Sequence, residues 1–182
     1  MKRVLVVLLV VLLLATNAGA VSLYVDYAQI KTDVMPTIVG GRTLVPMRAI
    51  FEALGATVEW DGPSRTATGV LGDKTVAIQI DNTTAYVNGE AKTLDVPAKI
   101  IGGRTMVPAR FVSESLGCSV TWDGETQTAA VANVLNGQKI YITRTGKHFH
   151  IDSTCNGGTY FECTLAQAMG MGLTPCGKCI GN

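Results

Sequence analysis

The chain has 182 residues, is 47% hydrophobic and only 16% charged, and carries a formal net charge of +1. That length allows one ordinary domain with a small appendage, and the lack of long polar tracts excludes wholesale disorder. The near-neutral charge gives no broad attraction for nucleic acid or anionic lipid.

Much of the apolar content sits at the start. Val4 to Ala15 is a run without a polar side chain, preceded by Met1-Lys2-Arg3 and followed by Ala18-Gly19-Ala20. A membrane-crossing helix needs roughly 20 apolar residues. A basic start, a short apolar run and a small-residue site are the layout of a secretory signal peptide. Cleavage is expected after Ala20, making residues 1–20 a leader; an uncleaved anchor is the alternative. No cysteine lies beside the site, which argues against a lipid anchor. Cleavage removes Lys2 and Arg3, leaving 13 basic against 14 acidic residues, a net of −1. The mature chain is expected to have no membrane span and to be extracellular or associated with the cell envelope.

Ser22–Tyr27 reads as an opening strand. Residues 40–62 are GGRTLVPMRAIFEALGATVEWDG, and residues 102–124 are GGRTMVPARFVSESLGCSVTWDG. Fourteen of these 23 positions are identical at an offset of 62, which points to an internal duplication. In each copy a Gly-Gly turn precedes a short strand, Thr43–Val45 or Thr105–Val107. Pro46 and Pro108 suit the first helical position, where no N–H is needed. The helices run to Leu54 and Leu116. Ile50, Ala53 and Leu54 make the apolar face of the first, and Val112 and Leu116 that of the second. Arg48 with Glu52, and Arg110 with Glu114, are i,i+4 pairs. Gly55 and Gly117 cap the helices. Thr57–Trp60 and Ser119–Trp122 alternate as strands, and Trp60 and Trp122 are read as core anchors in preference to carbohydrate platforms.

Between the copies, Thr75–Ile80 alternates as a strand, and Asn88-Gly89 joins Ala85–Val87 to Ala91–Leu94 as a hairpin. Thr66–Val70 and Thr128–Ala132 extend the two copies. Short strands with two short helices predict an α+β fold: duplicated strand–helix–strand units with mainly antiparallel sheet.

The twice-occurring pattern of GRT, Leu or Met, VP and Arg, followed by LG and WDG, resembles the copper amine oxidase N-terminal-like (stalk) domain. The likeness covers about residues 22–134. Met47, Ala109 and Cys118 depart slightly from the pattern. The resemblance implies a secreted, non-catalytic bacterial module, often joined to cell-wall or enzymatic domains. An amine oxidase active site would need three histidine ligands and a modified tyrosine in an Asn-Tyr context. This chain has only His148 and His150 and no Asn-Tyr. The domain is expected to span 21–134.

Four of the five cysteines follow residue 150. His150, Cys155, Cys176 and Cys179 can complete a tetrahedral zinc shell, with Cys176-x2-Cys179 delivering two thiolates to one ion. Thr164 and Gln167 form a capping box before a short helix ending near Gly170 or Gly172. Two disulfides are the competing arrangement in an oxidising compartment, but they give His150 no role. Cys163 is extra, His148 is a second candidate ligand, and Cys118 reads as a buried free thiol. Residues 139–180 also resemble a small bacterial zinc-binding tail akin to the metal-binding domain of the Ada DNA-repair protein. The matching positions include Phe149-His150, Cys155, Thr164-Leu165 and Thr174-Pro175-Cys176. This predicts a zinc-knuckle-like domain over 135–182, too poor in apolar residues to fold without its ion.

Four protein ligands leave no open position, so the zinc is expected to be structural. No nucleophile–base pair or phosphate loop is visible, and the chain is expected not to be an enzyme. The favoured reading is a secreted binding or spacer module contacting a cell-wall or envelope component. A nucleic-acid-binding accessory and a disulfide-stapled cell-wall-binding protein are the alternatives. Nucleic acid is the less favoured partner, because Lys139, Arg144, Lys147 and Lys178 lack interleaved aromatics.

Overall fold

A computed structural model describes residues 20–133 and 138–180. Residues 1–19, which hold nearly all of the expected leader, and 134–137, where the expected domain boundary falls, lie outside the described residues.

The first part of the chain forms β1 (Ser22–Val25), β2 (Ala28–Gln29), β3 (Thr37–Val39), β4 (Arg42–Pro46) and α1 (Met47–Ala53). Then come β5 (Thr57–Asp61), β6 (Thr66–Leu71), β7 (Lys74–Gln79), β8 (Thr84–Val87) and β9 (Glu90–Thr93). β10 (Lys99–Ile101), β11 (Arg104–Pro108), α2 (Ala109–Ser115), β12 (Ser119–Asp123) and β13 (Thr128–Ala132) follow. The tail adds β14 (Ile140–Ile142), β15 (His148–Phe149), β16 (Phe161–Cys163), α3 (Leu165–Gly170) and β17 (Thr174–Pro175). The fold is α+β and mainly antiparallel. Parallel pairing occurs between β1 and β13 and between β15 and β17.

Three sheets build the first part: a meander β5-β6-β7-β8-β9, a sheet β10-β11-β4-β3, and a sheet β12-β13-β1-β2. The middle sheet joins the two motif copies, because β4 pairs antiparallel with β11 and Val45 faces Val107. Those valines stand at equivalent motif positions, 62 residues apart. Arg42 binds Asp95 at 2.6 Å, and Arg104 binds Asp33 through two of its nitrogens. These pairs also correspond at the same offset, so each arginine reaches a carboxylate belonging to the other half. A Cβ on Gly40 would lie 2.9 Å from Val96 Cγ1, and one on Gly102 would lie 2.8 Å from Val34 Cγ2. Positive φ and this close approach both call for glycine there.

The core lies between the sheets and the two helices. It contains Leu23, Val45, Ile50, Phe51, Val76, Ile78, Val107 and Val112, among others. Phe51 lies against Gly69, where any Cβ would overlap its ring.

Four expectations need correcting. Pro46 and Pro108 end strands and stand at the helix N-caps, with ψ of 117° and 114°, instead of occupying the first helical turn. In the β4–β11 ladder Pro46 faces Met106 and Pro108 faces Leu44, which holds both prolines extended. The opening strand stops at Val25, because Asp26 and Tyr27 take positive φ and turn the chain into β2. Ala53 is exposed; Met47, Ile50, Phe51 and Leu54 form the buried stripe of α1. Trp60 is 44% exposed and is not a core anchor, whereas Trp122 does pack against the core.

The tail covers the outer face of the β12-β13-β1 sheet. Ala130 and Ala132 share an apolar cluster with Ile140, Phe149, Leu165, Ala166, Ala168 and Met169. The Ala166 N–H donates to Thr121 Oγ1 at 2.9 Å. At the corresponding positions of β6 stand Thr68 and Val70, and Val70 is exposed. Small alanines therefore occur where α3 must approach closely.

Candidate metal centre

Backbone pairing brings the four candidate ligands together. The Tyr141 N–H donates to the His150 carbonyl at 2.7 Å, and the His150 N–H returns a bond to Tyr141 at 2.8 Å. β15 and β17 run in parallel with Phe149 beside Pro175. The next N–H, that of Cys176, donates to the Phe149 carbonyl at 3.0 Å. His150 and Cys176 thus leave adjacent strands side by side.

The capping box at Thr164 and Gln167 starts α3 with both reciprocal bonds made. Gly172 (φ 72°) ends it in the left-handed region. Its N–H donates to Met169, and that of Leu173 to Ala168. This cap turns the chain into β17, so the helix sets the position of Cys176. Cys155 sits on a turn organised by Asp152, whose Oδ1 accepts from the Thr154 N–H and hydroxyl, each at 2.7 Å. Beyond Cys176 the chain turns again, with the Ile180 N–H donating to the Cys176 carbonyl at 3.0 Å. That turn presents Cys179.

One nitrogen of His150 and the sulfurs of Cys155, Cys176 and Cys179 all lie within 4.8 Å of one another. Cys155 Sγ is 3.8 Å from Cys176 Sγ, and Cys179 Sγ is 3.5 Å from His150 Nδ1. The first three residues are buried and Cys179 is half-buried. Tyr160 places its ring edge-on to His150, with centroids 5.1 Å apart.

The electrostatics suit a metal ligand set. Burial lowers the His150 pKa and keeps the imidazole neutral, with its nitrogen lone pair free to coordinate. The backbone N–H groups of Cys179 and Lys178 stabilise the Cys176 thiolate and lower its pKa. Burial, reinforced by the neighbouring thiols, pushes Cys155 up to about 11. Such a cluster can hold a metal ion, which would displace the remaining thiol protons.

The other sequence candidates lie elsewhere. His148 is exposed, its Nδ1 2.7 Å from Thr174 Oγ1. Cys163 packs into the apolar cluster of the tail, and burial pushes its thiol to about 11. Cys118 is buried in the main core as a free thiol, its pKa raised by burial. Two supporting residues escaped sequence reading. Asp152 had only its Asx-turn chemistry to mark it. Lys178 hydrogen-bonds the Cys155 carbonyl across a 23-residue separation, which no local pattern reveals.

The class these features define is a sheet-rich α+β domain carrying a separate Cys/His cluster able to hold a metal ion. Residues 24–131 match the copper amine oxidase N-terminal domain, and the chain belongs to that family. The domain so named is a non-catalytic one, and the match ends before the tail. None of the curated proteins compared with the chain matches it.

Proposed function

We propose that this is a secreted, non-catalytic protein of the bacterial cell envelope. Its family domain, built from two copies of one strand–helix–strand unit, binds or spaces an envelope component. Its tail is an Ada-like module carrying a structural zinc ion. The leader-like start supports secretion, and the four-atom cluster carries the zinc assignment.

Zinc binds sulfur at about 2.3 Å and imidazole nitrogen at about 2.0–2.1 Å, in a tetrahedron. Those bond lengths imply edges of about 3.8 Å between sulfurs and about 3.5 Å between sulfur and nitrogen. The Cys155–Cys176 and Cys179–His150 separations are 3.8 Å and 3.5 Å. A disulfide would need its sulfurs at about 2.0 Å. Bound zinc would supply a cross-link between strand, turn and C-terminal segment. With four protein ligands the shell is full, so no water is left to activate.

Two of the tail's cations are engaged within the protein. Lys139 pairs with Glu162 at 2.8 Å, and Lys178 binds a backbone carbonyl. This weakens the nucleic-acid alternative.

The test uses residues 21–182 purified under reducing conditions. Elemental analysis should find one zinc per chain, retained in Cys163→Ser and lost in Cys176→Ser. The same sample should be captured by purified cell-wall or envelope fractions. Finding no metal, with all four tail thiols oxidised, would refute the zinc assignment.

A further inference from the structure

We propose that the family domain carries two equivalent grooves, each of which binds a short stretch of an uncharged polysaccharide. This rests on reading the domain as an envelope-binding module and assigns the chemical class of its ligand.

Two clefts open on the domain, with volumes of about 380 Å³ and 690 Å³. Both fall in the size range of small-ligand sites. The smaller is lined by Ile38, Arg42, Asp95, Arg110, Glu114 and Trp122, among others. The larger is lined by Ile100, Arg104, Asp33, Arg48, Glu52 and Trp60, among others. Each residue in the second set stands 62 positions from its counterpart in the first. The same holds for every other residue lining the smaller cleft. Each cleft draws on both halves of the domain, because the Arg–Asp pairs cross between them.

The lining selects a chemistry. The smaller cleft holds two arginines against two carboxylates. The larger holds Lys31, Arg48 and Arg104 against Asp33, Glu52 and Glu59. Neither has a net charge to attract a nucleic acid, an anionic polymer or a charged peptide. Each offers an exposed isoleucine and adjacent planar donors and acceptors; the larger also presents the exposed indole of Trp60, while in the smaller Trp122 lines the wall with an indole partly packed against the core. Ile38 and Ile100 are 50% and 48% exposed, and Trp60 is 44% exposed. An indole stacks against the C–H face of a pyranose ring. A hydroxyl both donates and accepts, so vicinal hydroxyls can bond an arginine and its carboxylate partner together. The i,i+4 pairs on the groove walls, Arg48–Glu52 at 3.8 Å and Arg110–Glu114 at 4.0 Å, keep such groups adjacent. A pair of like grooves matches a ligand of repeating units, because simultaneous engagement raises the effective affinity without new contacts.

The chain has two tryptophans, one in each groove, so intrinsic fluorescence reports on both. The probe is the β-1,4-linked hexasaccharide of N-acetylglucosamine, titrated into zinc-loaded residues 21–182. Fluorescence and calorimetry should give two sites per chain. Trp60→Ala should leave one site, Arg110→Ala should weaken the other at least tenfold, and the double variant should keep only that one weakened site. Trp60→Phe should retain most of the affinity, and unchanged circular dichroism would show that each variant folds. Absence of binding, or binding indifferent to both substitutions, overturns the proposal, as does a groove-dependent dimer in sedimentation. Purified cell-wall sacculi separate the two levels. Sedimentation with sacculi that is undiminished by both substitutions overturns the grooves and leaves the envelope reading standing. Failure to associate with any envelope fraction overturns the envelope reading itself.

Discussion

Phe51 and Gly69 show how core residues differ between positions 62 apart in the chain. Phe51 is fully buried and occupies the space where Gly69 lacks a Cβ. Sixty-two positions later stand Ser113 and Val131, both fully buried. A large and a small residue thus give way to a small and a larger one at the corresponding positions, which keeps the summed side-chain volume similar, as close packing requires. Gly69→Val should destabilise by about 3 kcal/mol through overpacking. Adding Phe51→Ser should recover much of that loss. Urea denaturation of the two single variants and the double variant gives the coupling; strictly additive losses would refute the exchange. The candidate metal ligands set a pH dependence at the same scale. Cys155 is raised to about 11, so the metal-free protein holds its proton at neutral pH, and binding must expel it. Zinc affinity should therefore rise from pH 6 to pH 8. Competition with a coloured chelator would measure this, and a flat profile would contradict a thiolate shell.

At the scale of elements, α3 has two tasks. Its buried face docks the tail on the β12-β13-β1 sheet, and its C-terminal turn delivers Cys176. The helix spans only Leu165–Gly170, too short to persist alone in water, so its cap and packing must sustain it. Thr164→Ala removes the bond to the Gln167 N–H, seen at 3.2 Å. It should cost about 1 kcal/mol and accelerate zinc loss to a chelator, read by stopped-flow absorbance. The capping box was legible in sequence because Thr164 and Gln167 stand at fixed local spacing. So were the helix-capping glycines and the Asn88-Gly89 hairpin, whose residues all take positive φ. The β1–β13 pairing was not legible, since its partners lie about 106 residues apart. Nothing local records a parallel contact of that range.

For the whole molecule, two apolar cores meet across one sheet. Leu23, Val25, Ala129 and Val131 face the main core, while Ala130 and Ala132 face the tail. The tail is consequently a docked layer, and its buried surface includes part of the family domain. If the proposed metal is bound, stripping it from the intact chain should loosen the tail while the β5–β9 meander stays folded, because none of the four candidate ligands belongs to the main core. Hydrogen exchange after chelation should show faster exchange across 139–180 and unchanged protection in β6 and β7. Equal loss in both regions would refute this hierarchy.

By itself the sequence determined what depends on local spacing and residue type. The caps and turns, the i,i+4 ion pairs and the Cys176-x2-Cys179 step rest on residues at short fixed intervals, while the 62-residue likeness and the set of four candidate ligands rest on recurring residue types. They also carry the family resemblance. The tertiary structure decided the rest, because those features join positions far apart in the chain. It paired Arg42 with Asp95 and Arg104 with Asp33, and it seated α3 on Ala130 and Ala132. It separated Cys163 and His148 from the four clustered ligands. It also left Trp60 exposed at the mouth of a groove, although its place in a strand had suggested the core. Alternation tells which side chains share a face of a strand; only packing decides whether that face is covered.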